Sequence, residues 1–419
     1  MKQLNRWIYA AVGVVVLFCA GIIYAWSVLS APIAAEFPMW SKAQLSMTFT
    51  ITMILFCLGC MVGGFLSAKV SPKVYVWVAA VLFLIGFTLT ANIQTVTMLY
   101  LGFGIISGFG SGLVYNAVMG TITKWFPDKQ GLISGILLMG FGVSAFVMGK
   151  VYQACTPDTV GAWRKSFLVM GVVIAAVLAV CGFFFVRPGA DFAPPAPAVE
   201  KKKAANPVAM EATTAQMMRK PAFWLYYVWA ILLSAGGLAL ISQATGSAQE
   251  VGPSVDAGTI ATVVGLISVF NAVGRVLSGM LYDRVGRSAT MQLVNGMFIL
   301  TSAVLVLGLT TRTFALIILG FILGGLAYGG VTPTNSAFVS SYYGQKNYAM
   351  NFSIINTNLI FASFGSTIAG SLYDASQSYL STYLLMAGLA AAGIVVSLAI
   401  SAFDRRDLAA RQAGKANAE

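Results

Sequence analysis

Few side chains of this sequence could do chemistry in an apolar medium, and the most telling lie in one stretch, LISVFNAVGRVLSGMLYDRVGR, residues 266 to 287. Arg275 stands within its apolar part. Asn271 precedes it by one helical turn, so both side chains project from one helix face. A guanidinium stays charged at any physiological pH and presents a planar fork that matches a carboxylate. The 13 Asp and Glu residues all fall in expected loops, tails or helix ends, and the sequence has no histidine. An arginine at the centre of a membrane helix costs about 2.5–3.5 kcal/mol on insertion scales, so it should face a bundle interior or a wet cavity. A carboxylate substrate would complete the pair. The plainer alternative is a structural arginine that snorkels to the interface, since only about 9 Å of helix separates it from the expected helix end at residue 281.

Other polar groups expected at mid-depth are Tyr24, Tyr115, Asn116, Tyr328, Asn356 and Asn358. Asn356 and Asn358 are two residues apart and cannot face one direction on a helix. One would serve a cavity and the other would bond a neighbouring helix, an interaction of about 1 kcal/mol. Tyr342 and Tyr343 are expected at the lipid interface, where tyrosines form belts. Gly104, Gly108 and Gly112, four residues apart, predict close contact between helices. Gly324, Gly325 and Pro333 predict a helix that bends, and Phe361 is a pocket-shaping candidate set against plain core packing. No nucleophile with its base, metal cluster or phosphate loop is evident, so neither an enzyme nor a cofactor or metal is expected.

The elements that must position these residues are membrane helices. Of 419 residues, 58% are hydrophobic and 9% charged, with 43 glycines and a mean hydropathy of +0.83, far outside the range of soluble domains. Apolar runs near 8–34, 44–67, 74–92, 97–122, 131–153, 164–186, 222–244, 257–281, 289–309, 313–339, 349–373 and 379–403 are each long enough to span a bilayer. With both termini cytoplasmic, only Lys42, Lys150, Arg164, Lys165 and Arg312 lie in outer turns, and every other basic residue except Arg275 lies on the cytoplasmic side. That asymmetry sets the orientation expected for the inner, cytoplasmic membrane. The same retained charge accounts for Lys201, Lys202 and Lys203 and for the net charge of +12, so nucleic acid is not expected as a partner. The five cysteines form no disulfide framework. The first apolar run, though it begins on a basic MKQLNR, is too long for a signal peptide and is expected to be retained.

One long polar interruption, rich in Pro, Ala and Lys, runs from Arg187 to Lys220. It divides the chain into an N-terminal six-helix bundle (1–186), a cytoplasmic linker (187–220), with a short surface helix expected near EATTAQMM, and a C-terminal six-helix bundle with a short cytoplasmic tail (221–419). The halves repeat. GFLSAKVSPK after the second run parallels GMLYDRVGR after the eighth, and TKWFPDKQGLISG after the fourth parallels SSYYGQKNYAMNF after the tenth. Matching Gly64 to Gly279 and Asp128 to Gln345 gives offsets of 215 and 217 residues, two landmarks with one repeat length. Two joined repeats with a site near the midplane characterise transporters that rock one half against the other. In the second-half turn Asp283 would accept hydrogen bonds from helix-end amides or an arginine when the cytoplasmic side closes, and release them when it opens. The alternative is that Asp283, Arg284 and Arg287 merely anchor a tight turn.

The run from Gly279 through Asp283 and Arg284 to Arg287 resembles the GxxxDRxGR loop signature of the major facilitator superfamily. The first-half turn, with Ala68, Lys69 and Pro72, has lost its acid and second glycine, which weakens one conformational latch. IIYAWSVL, KWFPDKQGLISG and MMRKPAFW resemble the oxalate/formate antiporter and monocarboxylate porter group within it. The resemblance implies an all-α membrane protein of twelve transmembrane helices in two six-helix repeats, with the major facilitator superfamily fold. It also implies that helices 1, 4, 7 and 10 line a central cavity, where Tyr24, Tyr115 and Tyr328 fit aromatic positions of the antiporter group. Arg275 falls where the group places a carboxylate-binding arginine, and Asn271 where animal monocarboxylate transporters have an aspartate. Oxalate antiporters of the group carry a second cation on helix 11, whereas this helix 11 has neither Lys nor Arg. One positive charge predicts a monoanion.

The function expected is secondary active transport of a small monocarboxylate, such as lactate or pyruvate, by alternating access. Substrate contacts are expected from Arg275, Asn271, Tyr115, Asn116, Tyr328, Tyr24, Asn358 and Phe361, and a conformational switch from Asp283, Arg284, Arg287 and Gly279. A proton is the expected co-substrate, with anion exchange of the oxalate/formate type as the alternative, and a drug exporter or a transporter-like receptor standing further behind. The other partner is membrane lipid, and the working unit expected is a monomer.

Overall fold

In the computed structural model, the described residues are 5–40, 42–157, 159–189, 192 and 210–416. Eleven helices among them are long and apolar enough to cross a membrane. The one spanning Gly258–Thr310 has 53 residues, about 80 Å at 1.5 Å per residue, against a hydrocarbon core of about 30 Å. It is broken at Gly286, whose φ of 78° and ψ of −176° no side-chain-bearing residue adopts comfortably. The break turns one continuous helix into two spans and restores the expected twelve.

We number these spans α1 (Arg6–Ala25), α2 (Met47–Leu66), α3 (Pro72–Ala91), α4 (Val96–Trp125), α5 (Gln130–Cys155) and α6 (Trp163–Gly182). Those that follow are α7 (Pro221–Val251), α8 and α9 on either side of Gly286, α10 (Phe314–Tyr343), α11 (Tyr348–Ser376) and α12 (Leu380–Arg406). Local chemistry sets several ends. Asn5 caps α1 by accepting from the Trp7 amide, and proline opens α3 and α7 where its missing N–H leaves no bond unmade. Asp256 caps α8 by accepting from the Thr259 amide (2.9 Å) and hydroxyl (2.7 Å), bonds that hold its carboxyl below the usual range.

Three spans depart from regular α-geometry. α1 tightens to a 3-10 turn over Gly21–Ala25, α4 widens to a π-helix over Tyr100–Ser107, and α11 is interrupted at Thr357 and again at Ser363. Such irregular turns at membrane depth leave backbone groups to other partners, which is tolerated only where protein or a cavity satisfies them.

The chain forms two units. The first comprises Met1–Pro127, Ile136–Pro194 and Phe352–Asn356, and the second Asp128–Gly135, Pro195–Asn351 and Thr357–Glu419. The beginning of α5 thus belongs with the second unit and a short piece of α11 with the first. In the first unit, α2 and α4 meet through small residues: a Cβ on Gly104 would touch Ile51, one on Gly108 would touch Thr52, and one on Gly112 would collide with the Phe56 carbonyl. The four-residue glycine spacing is a contact stripe, as its period requires. Trp163 Nε1 and the Arg164 guanidinium both bond Glu36, at 2.6 and 2.7 Å, and Arg164 also reaches the carbonyls of Ala91 and Ile93. This ties the turns after α1 and α3 to the start of α6.

In the second unit, α8 and α10 approach through Gly274, Gly325 and Gly329; added Cβ atoms would press on the backbone at Leu326, at Ile267 and at Asn271, respectively. The five cysteines are free thiols, with Cys19, Cys57 and Cys60 buried.

Candidate functional site

Arg275 and Asn271 lie on α8 in the second unit, 8% and 5% exposed. Arg275 Nε donates to Asn271 Oδ1 at 2.8 Å, the one-turn contact their spacing predicts. The bond pulls the guanidinium toward the beginning of α8. It also bears on the snorkelling alternative, because the helix runs on past residue 281 to the break at Gly286. The route from Arg275 to that turn is therefore about 16 Å of helix rather than 9 Å. The side chain is tied back by one turn, away from the break at Gly286.

Close packing fixes this part of α8 from two sides. Gly329 of α10 lies against the backbone at Asn271 and Arg275, where any larger residue would collide. The first turns of α5 lie on the next part: Gly135 abuts the Arg275 carbonyl, and Gly131 and Gly279 meet carbonyl to Cα. The guanidinium is thereby presented from a backbone that cannot shift freely. Tyr328 of α10 is 7% exposed and lays its ring on Gly237 of α7.

Asp283, in the same unit, accepts from the amides of Gly131 (3.0 Å) and Leu132 (2.9 Å). Both amides belong to the first turn of α5, where no intrahelical acceptor is available and the helix dipole favours an anion. Of the two partners expected for this acid, helix-end amides or an arginine, the amides are observed. Arg287 is 6% exposed and engages the C-terminal span instead, with NH2 2.7 Å from Asp404 and Nε 2.9 Å from the Tyr342 hydroxyl. Arg284 is exposed.

Tyr342 also donates to Asp404 at 3.0 Å. The expected lipid belt is thus corrected: Tyr342 belongs to a polar triad, and Tyr343, 3% exposed, packs on Phe223 and Phe338. Phe361 is 54% exposed and touches Tyr227 edge-on, so core packing does not describe it.

In the first unit Tyr24 and Tyr115 are brought together on one ring, Phe141 of α5, with centroids 5.3 and 5.2 Å away. Phe56 joins them, and Phe352 stacks on Tyr115 at 5.9 Å. Asn116, on the next residue of α4, is 1% exposed. The two asparagines of α11 separate as their spacing demands. Asn358 Oδ1 accepts from Ser234 of α7 at 3.3 Å in the second unit. Asn356 is 1% exposed in the first unit, its carbonyl accepting from Cys57 Sγ at 3.7 Å, and both polar atoms of its side chain lack a hydrogen-bond partner.

Sequence reasoning missed Phe141, Phe56 and Phe352, which looked like any other apolar residues, and a buried hydroxyl chain from Ser134 through Ser336 to Tyr348, with both links 2.6 Å. The first unit also holds a cavity of about 470 Å³ between residues 28–35 and 152–160. Among the described residues its lining is Val, Ala, Pro, Thr, Tyr and Gln.

The sequence profile of the Major Facilitator Superfamily matches residues 10–359 and 248–418. The chain belongs to this superfamily. Within it, the chain is 26% identical over 356 residues to the uncharacterised MFS-type transporter YhjX of Escherichia coli (strain K12), covering 84% of each protein. It is 26% identical over 374 residues to the oxalate:formate antiporter of Oxalobacter formigenes, covering 87% of this chain and 85% of that one. Rattus norvegicus monocarboxylate transporter 13 is 22% identical over 381 residues, 90% of this chain and 85% of the relative. A solved bacterial homologue of the iron transporter ferroportin superposes over 95% of this chain and 100% of its own with a TM-score of 0.66 at 15% identity, which establishes the superfamily fold. The protein is therefore a multi-pass membrane transporter with twelve spans in two six-helix repeats.

Proposed function

We propose that this transporter moves small monocarboxylates, with lactate and pyruvate as the leading examples, across the cytoplasmic membrane by alternating access. The single observation that carries the reading is the buried Arg275, braced by Asn271 and by glycine contacts on two sides, a fixed cation whose planar N–H fork matches a carboxylate. Relatives named for oxalate, formate and monocarboxylates support the substrate class. The absence of Lys and Arg from α11 argues for a monoanion over a dianion.

Tyr328, Asn358 and Phe361 of the second unit, and Tyr24, Tyr115 and Asn116 of the first, are proposed substrate contacts, each open to its own KM measurement. Asn356 joins them on the strength of its unbonded carboxamide, since leaving such a group buried and unsatisfied costs about 1–3 kcal/mol. Asp283 and Gly279 form the moving clasp on the start of α5, with Arg284 and Arg287 holding the turn. The distribution of basic residues supports a reading with both termini in the cytoplasm, and a monomer is the proposed working unit.

Proton-linked transport is the favoured coupling, the proton travelling on the substrate or on a peripheral acid. Exchange of one anion for another is the second reading, favoured by the electrostatics of the site, because a bound carboxylate would neutralise the buried guanidinium and lower the cost of closing over it. Uptake of labelled L-lactate into proteoliposomes separates the two. Acceleration by an imposed pH gradient supports proton coupling, and acceleration only by internal unlabelled lactate supports exchange. No saturable lactate or pyruvate uptake under either condition would refute the monocarboxylate assignment.

A further inference from the structure

The last part of the linker is bonded into the second unit along its length. Met210 N–H donates to the Tyr342 carbonyl at 3.0 Å and Ala212 N–H to the Tyr343 carbonyl at 3.1 Å, so a short extended segment runs beside the end of α10. The Ala212 carbonyl accepts from the side-chain amides of Asn347 and Asn351, both at 3.1 Å, and Thr214 donates to Asn351 Oδ1 at 2.8 Å. Ala212 and Met217 are fully buried, and Thr213 and Gln216 close a capping box on the short helix Thr214–Met218.

Between these anchors Glu211 turns both oxygens onto the turn that leads into α11. Oε1 accepts from the Gln345 amide and Oε2 from the Lys346 amide, each at 3.1 Å. Gly344, with φ +75°, leaves the room: a Cβ there would occupy the space of the carboxylate. The arrangement has a partial counterpart: Asp283 places its two oxygens on the Gly131 and Leu132 amides in the first turn of α5, the repeat partner of α11, and at the 217-residue offset those amides correspond to Tyr348 and Ala349, so Glu211 grips the chain three residues earlier, in the turn before α11. Asp283 lies four residues after Gly279. Four residues after Gly64, the equivalent place holds Ala68, which has no acid to give. One carboxylate thus holds the first turn of α5 and another the turn leading into α11, and only the first comes from a membrane turn.

We propose that Glu211, from the linker, holds the approach to α11 in a repeat whose own membrane turn has Ala68 where the other has Asp283, and that residues 210–218 are a fixed strap on that turn throughout the transport cycle. Glu211 is covalently and multiply anchored among its own helices, so the Gln345 and Lys346 amides are permanently taken. Asp283, carried on a membrane turn, is the acid that makes and breaks contact with the start of α5. The linker is then a working part of the second repeat. The inference does not depend on which acid is carried.

Hydrogen–deuterium exchange on the purified full-length protein tests it without any substrate. Glu211→Ala is expected to speed exchange of peptides covering 343–351 by about tenfold or more, with 128–136 unchanged, because local opening sets amide exchange. Glu211→Gln, which keeps the shape and one acceptor, should fall between Ala and the wild type. Asp283→Asn should deprotect 128–136 and leave 343–351 protected. Unchanged protection of 343–351 in both Glu211 variants would overturn the clamp. Loss of protection at 343–351 in Asp283→Asn would overturn its permanence, and that arm stands even if Glu211→Ala does not fold.

Discussion

Arg275 illustrates how a charge is made usable inside a membrane. The hydrogen bond to Asn271 satisfies one donor and sets the direction of the guanidinium, whose fork is the proposed carboxylate contact. Arg275→Lys keeps the charge and loses the fork. Saturable uptake should fall roughly 100-fold in kcat/KM, equivalent to about 2.7 kcal/mol, with expression and thermal stability near those of the wild type. Near-normal uptake would remove Arg275 from the site. Asn356→Leu separates two meanings of an unbonded amide. As an idle buried group its replacement should be neutral or stabilising, with KM unchanged; as a substrate contact its loss should raise KM by about tenfold. We expect the second outcome. The Arg275–Asn271 contact was legible in the sequence because both residues share one helix face, and geometry at four-residue spacing needs no tertiary information. The bonding of Glu211, the Arg287–Asp404 pair and the gathering of Tyr24 and Tyr115 on Phe141 join segments far apart in sequence, and nothing local announces them.

Helices here are positioned by what they lack. Gly131 and Gly135 let the first turns of α5 rest on the α8 backbone beside Arg275, so that Asp283 can reach two amides. Gly135→Ala should drive the helices apart at the Arg275 carbonyl and destabilise the protein by about 1–3 kcal/mol, the usual range for overpacking. Thermal unfolding in detergent measures it, and an unchanged midpoint would mean the contact is loose. Asp283→Asn should lower maximal uptake several-fold while leaving KM within about twofold, since it loosens a clasp rather than a binding contact; a selective rise in KM would contradict that role. Span starts were readable to within about three residues because length and apolarity decide them, whereas the ends of α1, α7 and α8 lie five to nine residues from where apolarity put them. The break of α8 at Gly286 was foreshadowed by the basic, glycine-containing turn. The 3-10 turn of α1, the π-segment of α4 and the interruptions of α11 were not, because they answer to neighbouring helices.

At the scale of the whole molecule, the internal repeat proved the most informative sequence signal, since it set both the architecture and the comparison between Ala68 and Asp283. The proposed substrate class rests on a count of charges. With one fixed cation, lactate and pyruvate should raise the thermal unfolding midpoint of the purified protein, while oxalate at equal concentration should do so weakly and a lipophilic cation not at all. Preference for oxalate would point to a second positive group and to the antiporter's chemistry. The strap of residues 210–218 also says where this gene could be divided. Two co-expressed polypeptides should reassemble when the second begins just ahead of Met210, because that fragment retains Glu211 and the short helix it needs. A second polypeptide beginning at Pro221 would carry all six of its membrane helices and still be incomplete.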